Sequence, residues 1–169
     1  MPALEALLAG GGLWTLAQEQ PAKLTLLAFY RGAFCPVCRT WLADFERLLP
    51  EFDKRGVSVI ALSCDKPEAA QKSKEDWGLK NLRVGHGLGI EEARKAGLYI
   101  SEGRGVNPAT GQKEPRLFTE PGVLAVTPQG LLYAAWTQSV PYARPHLAEI
   151  LTALDNFIAR GLPEPRGSA

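Results

Sequence analysis

Cysteine is scarce in this chain, with 3 in 169 residues. An oxidised export scaffold is small, Cys-dense and even-numbered, so this count excludes a structural disulfide framework. An excess of one charge is also missing: 19 Lys and Arg stand against 18 Asp and Glu, a formal net charge of +1. That balance gives no field to draw in phosphate backbones or acidic lipid, and no nucleic-acid partner is expected. Long apolar runs are absent too. The longest near the start, LLAFY at 26–30, is far short of the roughly 20 residues that span a bilayer, so no membrane partner is expected. The start, MPALEALLAGGG, has no Lys or Arg ahead of its short apolar patch and Glu5 interrupts that patch. It does not read as a secretory signal, and the expected compartment is the cytoplasm. With 46% hydrophobic and 22% charged residues, residues 1–169 are expected to form one domain around one core.

Hydrophobic periodicity lays out the elements. Residues 2–9 are expected to form a short helix ended by Gly10, Gly11 and Gly12. Residues 23–30, KLTLLAFY, are mostly apolar between Pro21 and Gly32, the pattern of a central strand buried on both faces. Past Cys35, Val37, Trp41, Leu42, Phe45, Leu48 and Leu49 recur every three or four residues opposite Arg39, Asp44, Glu46 and Arg47, which predicts a helix packed on that sheet. Pro50 should kink this helix without ending it, and Gly56 should cap it. Residues 57–63, VSVIALS, are the next strand, completing a parallel βαβ unit.

Beyond it the spacing predicts a helix at 68–77 with Pro67 in its first turn, a short edge strand at 82–85 and a short helix at 90–96. Residues 99–120 show neither period and read as a long loop of the kind that often carries function. Residues 123–127 and 131–137, joined through Pro128, Gln129 and Gly130, predict an antiparallel hairpin. Leu147, Ile150, Leu151, Leu154, Phe157 and Ile158 mark a last amphipathic helix with Pro145 in its first turn, and residues 161–169 a disordered tail.

The stretch FYRGAFCPVCRTW, 29–41, puts two cysteines three apart where the central strand turns into the first long helix. The end of such a loop lies at the helix N-terminus, where backbone N–H groups are unpaired and the macrodipole is positive. Pro36 has the φ of a first helical residue and no N–H to leave unpaired, so Cys35 is the N-cap and Cys38 lies one turn inside. A thiolate there is stabilised, and its pKa can fall from about 8.5 to roughly 3.5–7.5. Cys35 is then the nucleophile. Cys38 is within reach to attack a mixed disulfide or sulfenic acid formed on it. Arg31, four residues ahead, is placed to stabilise a thiolate or a hydroperoxide.

With these residues the chain resembles the thioredoxin superfamily, in particular the peroxiredoxin-like branch related to alkyl hydroperoxide reductase and thiol-specific antioxidant proteins. The resemblance covers about residues 13–159 and is carried by LLAFYRGAFCPVC, GVSVIALSCDKPE, IEEARKAGLYIS, PGVLAVTPQGLL and the last helix. It implies an α/β thioredoxin-like fold: a central mixed β-sheet flanked by helices, with a C-terminal β-hairpin and helix. It implies a thiol-dependent antioxidant oxidoreductase that reduces peroxides, disulfides or both, needs no cofactor, and is recycled by a thioredoxin- or glutaredoxin-type reductant. A homodimer is left open.

Two departures from the family pattern stand out. Peroxiredoxins carry P-x-x-x-T-x-x-C and a distant Arg, and the matching places here are Ala28, Gly32 and Pro121. Pro121 instead matches the cis-proline that faces C-x-x-C in thioredoxin-like enzymes. The resemblance therefore implies a cis bond at Pro121, its ring against the cysteine pair, and a neighbouring backbone edge free for an extended substrate. Thioredoxins also carry a buried acid six residues before the first Cys, where this chain has Phe29.

The alternative function class is a copper- or zinc-binding protein on the same fold. Cys35 and Cys38 would be half of a zinc site completed by Cys64 and His86, although a structural zinc site normally has a second closely spaced ligand pair, and none exists here. Cys64, at the end of a buried strand, reads as a small hydrophobe, and neither His86 nor His146 has a sequence-visible partner. The reading taken is the thiol oxidoreductase with no metal and with Cys35, Cys38, Arg31 and Pro121 at its catalytic site.

Overall fold

The structure is a computed structural model that describes residues 1–165. Its first elements are strands: β1 (Glu5–Leu8) and β2 (Leu13–Thr15) form an antiparallel hairpin. This corrects the helix expected at 2–9. Ala, Leu and Glu are good helix formers, but so short a segment cannot offset the cost of nucleation, and pairing decides its state. Gly10, Gly11 and Gly12 all take positive φ, and the turn closes through Gly11 N–H to Leu8 C=O at 2.9 Å.

β3 (Leu24–Phe29) is buried at every residue, as its composition demands. It leads into α1 (Pro36–Lys54), which runs through Pro50, and Gly56 follows with φ +69. β4 (Val57–Leu62) returns parallel to β3 over its whole length, from Leu24 opposite Val57 to Phe29 opposite Leu62. α2 (Pro67–Asp76) then leads to β5 (Arg83–His86), which pairs parallel with β4. β5 is not the edge strand expected, because β1 pairs on its other side and moves the edge out to β2. His86 accordingly ends a strand.

α3 (Ile90–Lys95) precedes a second correction. The expected loop at 99–120 contains β6 (Ile100–Glu102) and β7 (Leu117–Thr119), a separate antiparallel pair. Strands of three residues are too short to show alternation, so only their pairing reveals them. β8 (Gly122–Val126) and β9 (Leu132–Thr137) form the expected hairpin, with β8 antiparallel to β3. α4 (Leu147–Ala159) closes the fold with His146 as N-cap, which puts Pro145 just ahead of the helix and not in its first turn. Of the tail expected to be disordered, residues 161–165 fold back. Leu162 packs on the core, and the Tyr133 hydroxyl donates to Pro163 C=O at 2.9 Å. Residues 166–169, on which the same expectation falls, lie outside the described residues.

The main sheet thus runs β2-β1-β5-β4-β3-β8-β9. One face carries Leu24, Leu26, Ala28 and Tyr30 against the apolar stripes of α1 and α4. The other carries Leu27, Phe29, Ile60 and Leu124 against Ala93, Ala96 and Leu98. Phe45 anchors α1: it is fully buried, edge-on to Trp41 at 5.1 Å and stacked on Phe52 at 5.8 Å. Phe45→Ala is expected to cost about 3–5 kcal/mol, from lost transfer energy plus the cavity left behind. Urea unfolding measures this, and a loss under 1 kcal/mol would contradict the packing described.

Candidate active site

β3 and β4 end side by side, so the segments that follow them meet at one end of the sheet. There Cys35 is the N-cap of α1, with extended backbone at φ −99 and ψ 107, and Pro36 occupies the first helical turn. The Cys38 N–H donates to Cys35 Sγ at 3.4 Å. Both cysteines are free thiols and both are buried, Cys35 at 1% exposure and Cys38 at 0%.

Their two thiols are driven apart in acidity. The Cys35 pKa is lowered to about 6, first by the hydrogen bond its sulfur accepts from the Cys38 thiol. The Cys38 N–H and the charges of Arg144 and Arg31 add to this, while burial opposes it. Cys38 is raised well above the ordinary thiol range, chiefly by complete burial and further by the adjacent Cys35. At neutral pH the arrangement is one thiolate beside one thiol, which can serve as a nucleophile next to a proton donor.

Arg144 is the residue that sequence reading missed. It lies between β9 and α4, and its Nη2 reaches both sulfurs, at 3.5 Å from Cys35 and 3.3 Å from Cys38. The guanidinium sits over the Trp41 ring at 5.2 Å, and the Trp41 indole N–H donates to Pro145 C=O at 3.4 Å. Nothing local marks this arginine. It stands 109 residues from Cys35 in PYARPH, with no periodic pattern around it.

Arg31 reaches the site indirectly. Its Nε pairs with Glu120 at 3.2 Å, and its guanidinium lies 5.1 Å from the Phe34 ring and 4.7 Å from Phe118. Glu120, only 3% exposed and also missed in the sequence, accepts from the Ser101 hydroxyl at 2.7 Å. The Arg31 charge therefore still favours the Cys35 thiolate, but it is partly neutralised by its own buried partner.

Pro121 departs from its expectation in its peptide bond and its backbone edge. It is buried at the start of β8, and since Gly122 faces Phe29, the register carries it opposite Tyr30. No peptide bond among the described residues is cis, so the Glu120–Pro121 bond is trans. Nor is the backbone edge free: Pro121 C=O accepts from Gln138 N–H at 3.0 Å, and Glu120 N–H donates to Tyr99 C=O at 2.8 Å. The chain itself occupies the ladder positions that an extended substrate would need.

The remaining sequence candidates stand apart. Cys64 packs against the second core cluster, and burial pushes its thiol up to about 11, the state of an unreactive thiol. Among the described residues no three His, Cys, Asp or Glu side chains gather as a metal-binding group, so the zinc site of Cys35, Cys38, Cys64 and His86 does not form. Phe29, at the place of the thioredoxin acid, points into the second cluster. No helix among the described residues is long and apolar enough to cross a membrane.

Comparison with known proteins gives one family and one fold. The pattern of the AhpC/TSA family matches residues 1–135. The chain is 43% identical over 53 residues to the 1-Cys peroxiredoxin PER1 of Arabidopsis thaliana, a match covering 31% of this chain and 23% of that protein. It is 28% identical over 111 residues to the thiol-disulfide oxidoreductase ResA of Halalkalibacterium halodurans, covering 61% of this chain and 62% of that one. The matched region thus spans less than two thirds of these relatives. Among solved structures, peroxiredoxin 6 of Arenicola marina superposes with a TM-score of 0.71 at 22% identity, over 95% of this chain and 72% of that one. The 2-Cys peroxiredoxin of Plasmodium vivax superposes at 0.73 and 16% identity, over 100% and 89%. Both likenesses concern the fold alone.

Proposed function

The chain belongs to the AhpC/TSA family, and from that premise we propose that it is a thiol peroxidase that reduces small hydroperoxides through a Cys35–Cys38 dithiol and disulfide cycle. The observation that carries this reading is the single guanidinium of Arg144 shared by both sulfurs of a buried pair. Arg144 lies in direct contact with both sulfurs, and a small hydroperoxide needs less displacement of the chain to reach Cys35 than a macromolecular substrate does. A folded protein disulfide would have to approach a sulfur only 1% exposed, with the Arg144 guanidinium against it. The trans bond at Pro121 and its occupied backbone edge remove the main argument for an extended disulfide substrate.

The Cys35 thiolate attacks the terminal peroxide oxygen, an S–O bond forms and the O–O bond breaks, giving Cys35 sulfenic acid and an alkoxide. The Cys38 thiol gives the alkoxide its proton and becomes a thiolate. That thiolate attacks the Cys35 sulfur, the disulfide forms and hydroxide leaves. Arg144 acts as the positive partner of the charge moving through these steps, and Arg31 adds a weaker field. Two thiols of a thioredoxin- or glutaredoxin-type reductant then restore the pair.

Steady-state turnover with hydrogen peroxide, an organic hydroperoxide and a protein disulfide tests the choice of substrate, with the peroxides expected to be faster by at least about tenfold in kcat/KM. Mass spectrometry after one equivalent of peroxide should find Cys35 and Cys38 joined, two hydrogens lighter. Faster turnover of the protein disulfide, or a bridge made through Cys64, would sink the proposal.

A further inference from the structure

Asp65 lies in the segment after β4 and is 5% exposed. Its Oδ2 accepts from the Ala33 N–H at 3.0 Å, two residues ahead of Cys35. That N–H belongs to a tight turn closed by Cys35 N–H to Gly32 C=O at 3.1 Å. The turn is shaped around the carboxylate: Gly32 has φ +139, and a Cβ on it would lie 2.6 Å from Asp65 Oδ1. Carbonyls on either side of Ala33 are held from elsewhere, Tyr30 C=O by the Thr119 hydroxyl at 3.2 Å and Phe34 C=O by the Thr110 hydroxyl at 3.0 Å. Asp65 is thus the side chain that grips the turn by an N–H, between two carbonyl clasps.

We propose that Asp65 is a positioning residue for the nucleophile, its side-chain oxygen clamping the turn 32–35 so that Cys35 Sγ stays in register with Arg144. The clamp rests on the reading of Cys35 as the reactive thiolate and extends it to a third strand end.

A carboxylate is a costly way to hold this turn. Asp65 shares its burial with the neutral donors Ala33 N–H and Ser63, and burial raises its pKa to about 6. The groups facing it are Tyr30, from the end of β3, and Cys64, both of which its charge holds further protonated. Asp65 also lines a cavity of about 580 Å³ together with Ala33, Lys66, Lys113, Glu114 and Arg116.

The sign of one measurement separates a clamp from a mere charge. Removing an anion near a thiol lowers the thiol pKa, whereas letting the turn drift from Arg144 raises it. Thiolate absorbance at 240 nm, followed against pH in the reduced protein, reads this without any peroxide, so it succeeds or fails independently of the substrate assignment. For Asp65→Ala the Cys35 midpoint is expected to move from about 6 up toward the ordinary thiol value of about 8.5. Asp65→Asn keeps an acceptor for Ala33 N–H and should hold the midpoint at or below the wild-type value. An unchanged or lowered midpoint in Asp65→Ala overturns the proposal.

If Asp65→Ala does not fold, the Ala33 amide resonance of Cys35→Ser gives a second reading. It should titrate near pH 6 in that variant and stay flat in Cys35→Ser with Asp65→Asn. An amide that does not titrate in Cys35→Ser overturns the clamp.

Discussion

Replacing Cys35 with serine is expected to lower peroxide turnover by about 10³-fold or more, to the background of ordinary thiols. The hydroxyl is not ionised at neutral pH and cannot serve where a sulfur with a pKa of about 6 does. This variant isolates chemistry from structure, because serine is itself a favoured N-cap and keeps the bond to the Cys38 N–H that starts α1. Its unfolding midpoint should match that of the wild type. Cys38→Ser should separate the two halves of the cycle: one equivalent of peroxide is consumed, sulfenic acid accumulates on Cys35 and is trapped by a dione reagent, and steady-state turnover stops. Retained turnover in Cys35→Ser would move the nucleophile to another residue, Cys38 or Cys64 being the two cysteines left in the sequence.

Arg144→Met is expected to lower kcat/KM by about 10²–10³-fold, the usual loss for one electrostatic donor aimed at developing charge. Methionine keeps an unbranched apolar stem over Trp41, so that contact is largely retained, unlike in an alanine variant. Two effects make up the loss, and pH separates them. The wild-type profile should be flat above about pH 6 and fall tenfold per unit below it, because only the Cys35 thiolate reacts. Without the guanidinium the thiolate is less favoured, so the falling limb shifts to higher pH and that part of the loss is recovered in alkaline buffer. The part due to charge moving onto the leaving oxygen is not recovered. Arg144→Lys should fall between, since a point charge has no planar fork to share between two sulfurs. A plateau within twofold of the wild type in Arg144→Met would show that this contact plays no part in the reaction.

The helix starting at Pro36 was readable because it is long and strongly periodic, and the strands at 24–29 and 57–62 because each is an unbroken, mostly apolar run between turn signals. The same holds for the capping role of Cys35, since Pro36 and the strand ahead of it leave little choice of helix start. The N-terminal hairpin, the interior place of β5 and the β6–β7 pair were not readable. Each is a strand of three or four residues whose state comes from a partner 6 to 79 residues away, as with Leu7 opposite both Leu13 and His86. Propensity at 2–9 pointed to a helix, and pairing overruled it.

The site divides in the same way. By itself the sequence determined the nucleophile candidate, its neighbour and the thiol chemistry, because these follow from adjacent residues at one helix start. Tertiary structure alone decided the charge environment. Arg144 comes from beyond β9, Glu120 from the start of β8 and Asp65 from the end of β4, and they meet at Cys35 only because the three strands and the helix end at the same side of the sheet. It also decided against the disulfide edge at Pro121, where hydrogen bonds from Gln138 and to Tyr99 use the backbone that the motif alone left open. Local rules act over one or two turns of chain, while Coulomb and ladder interactions act over a few ångströms of space whatever the separation in sequence.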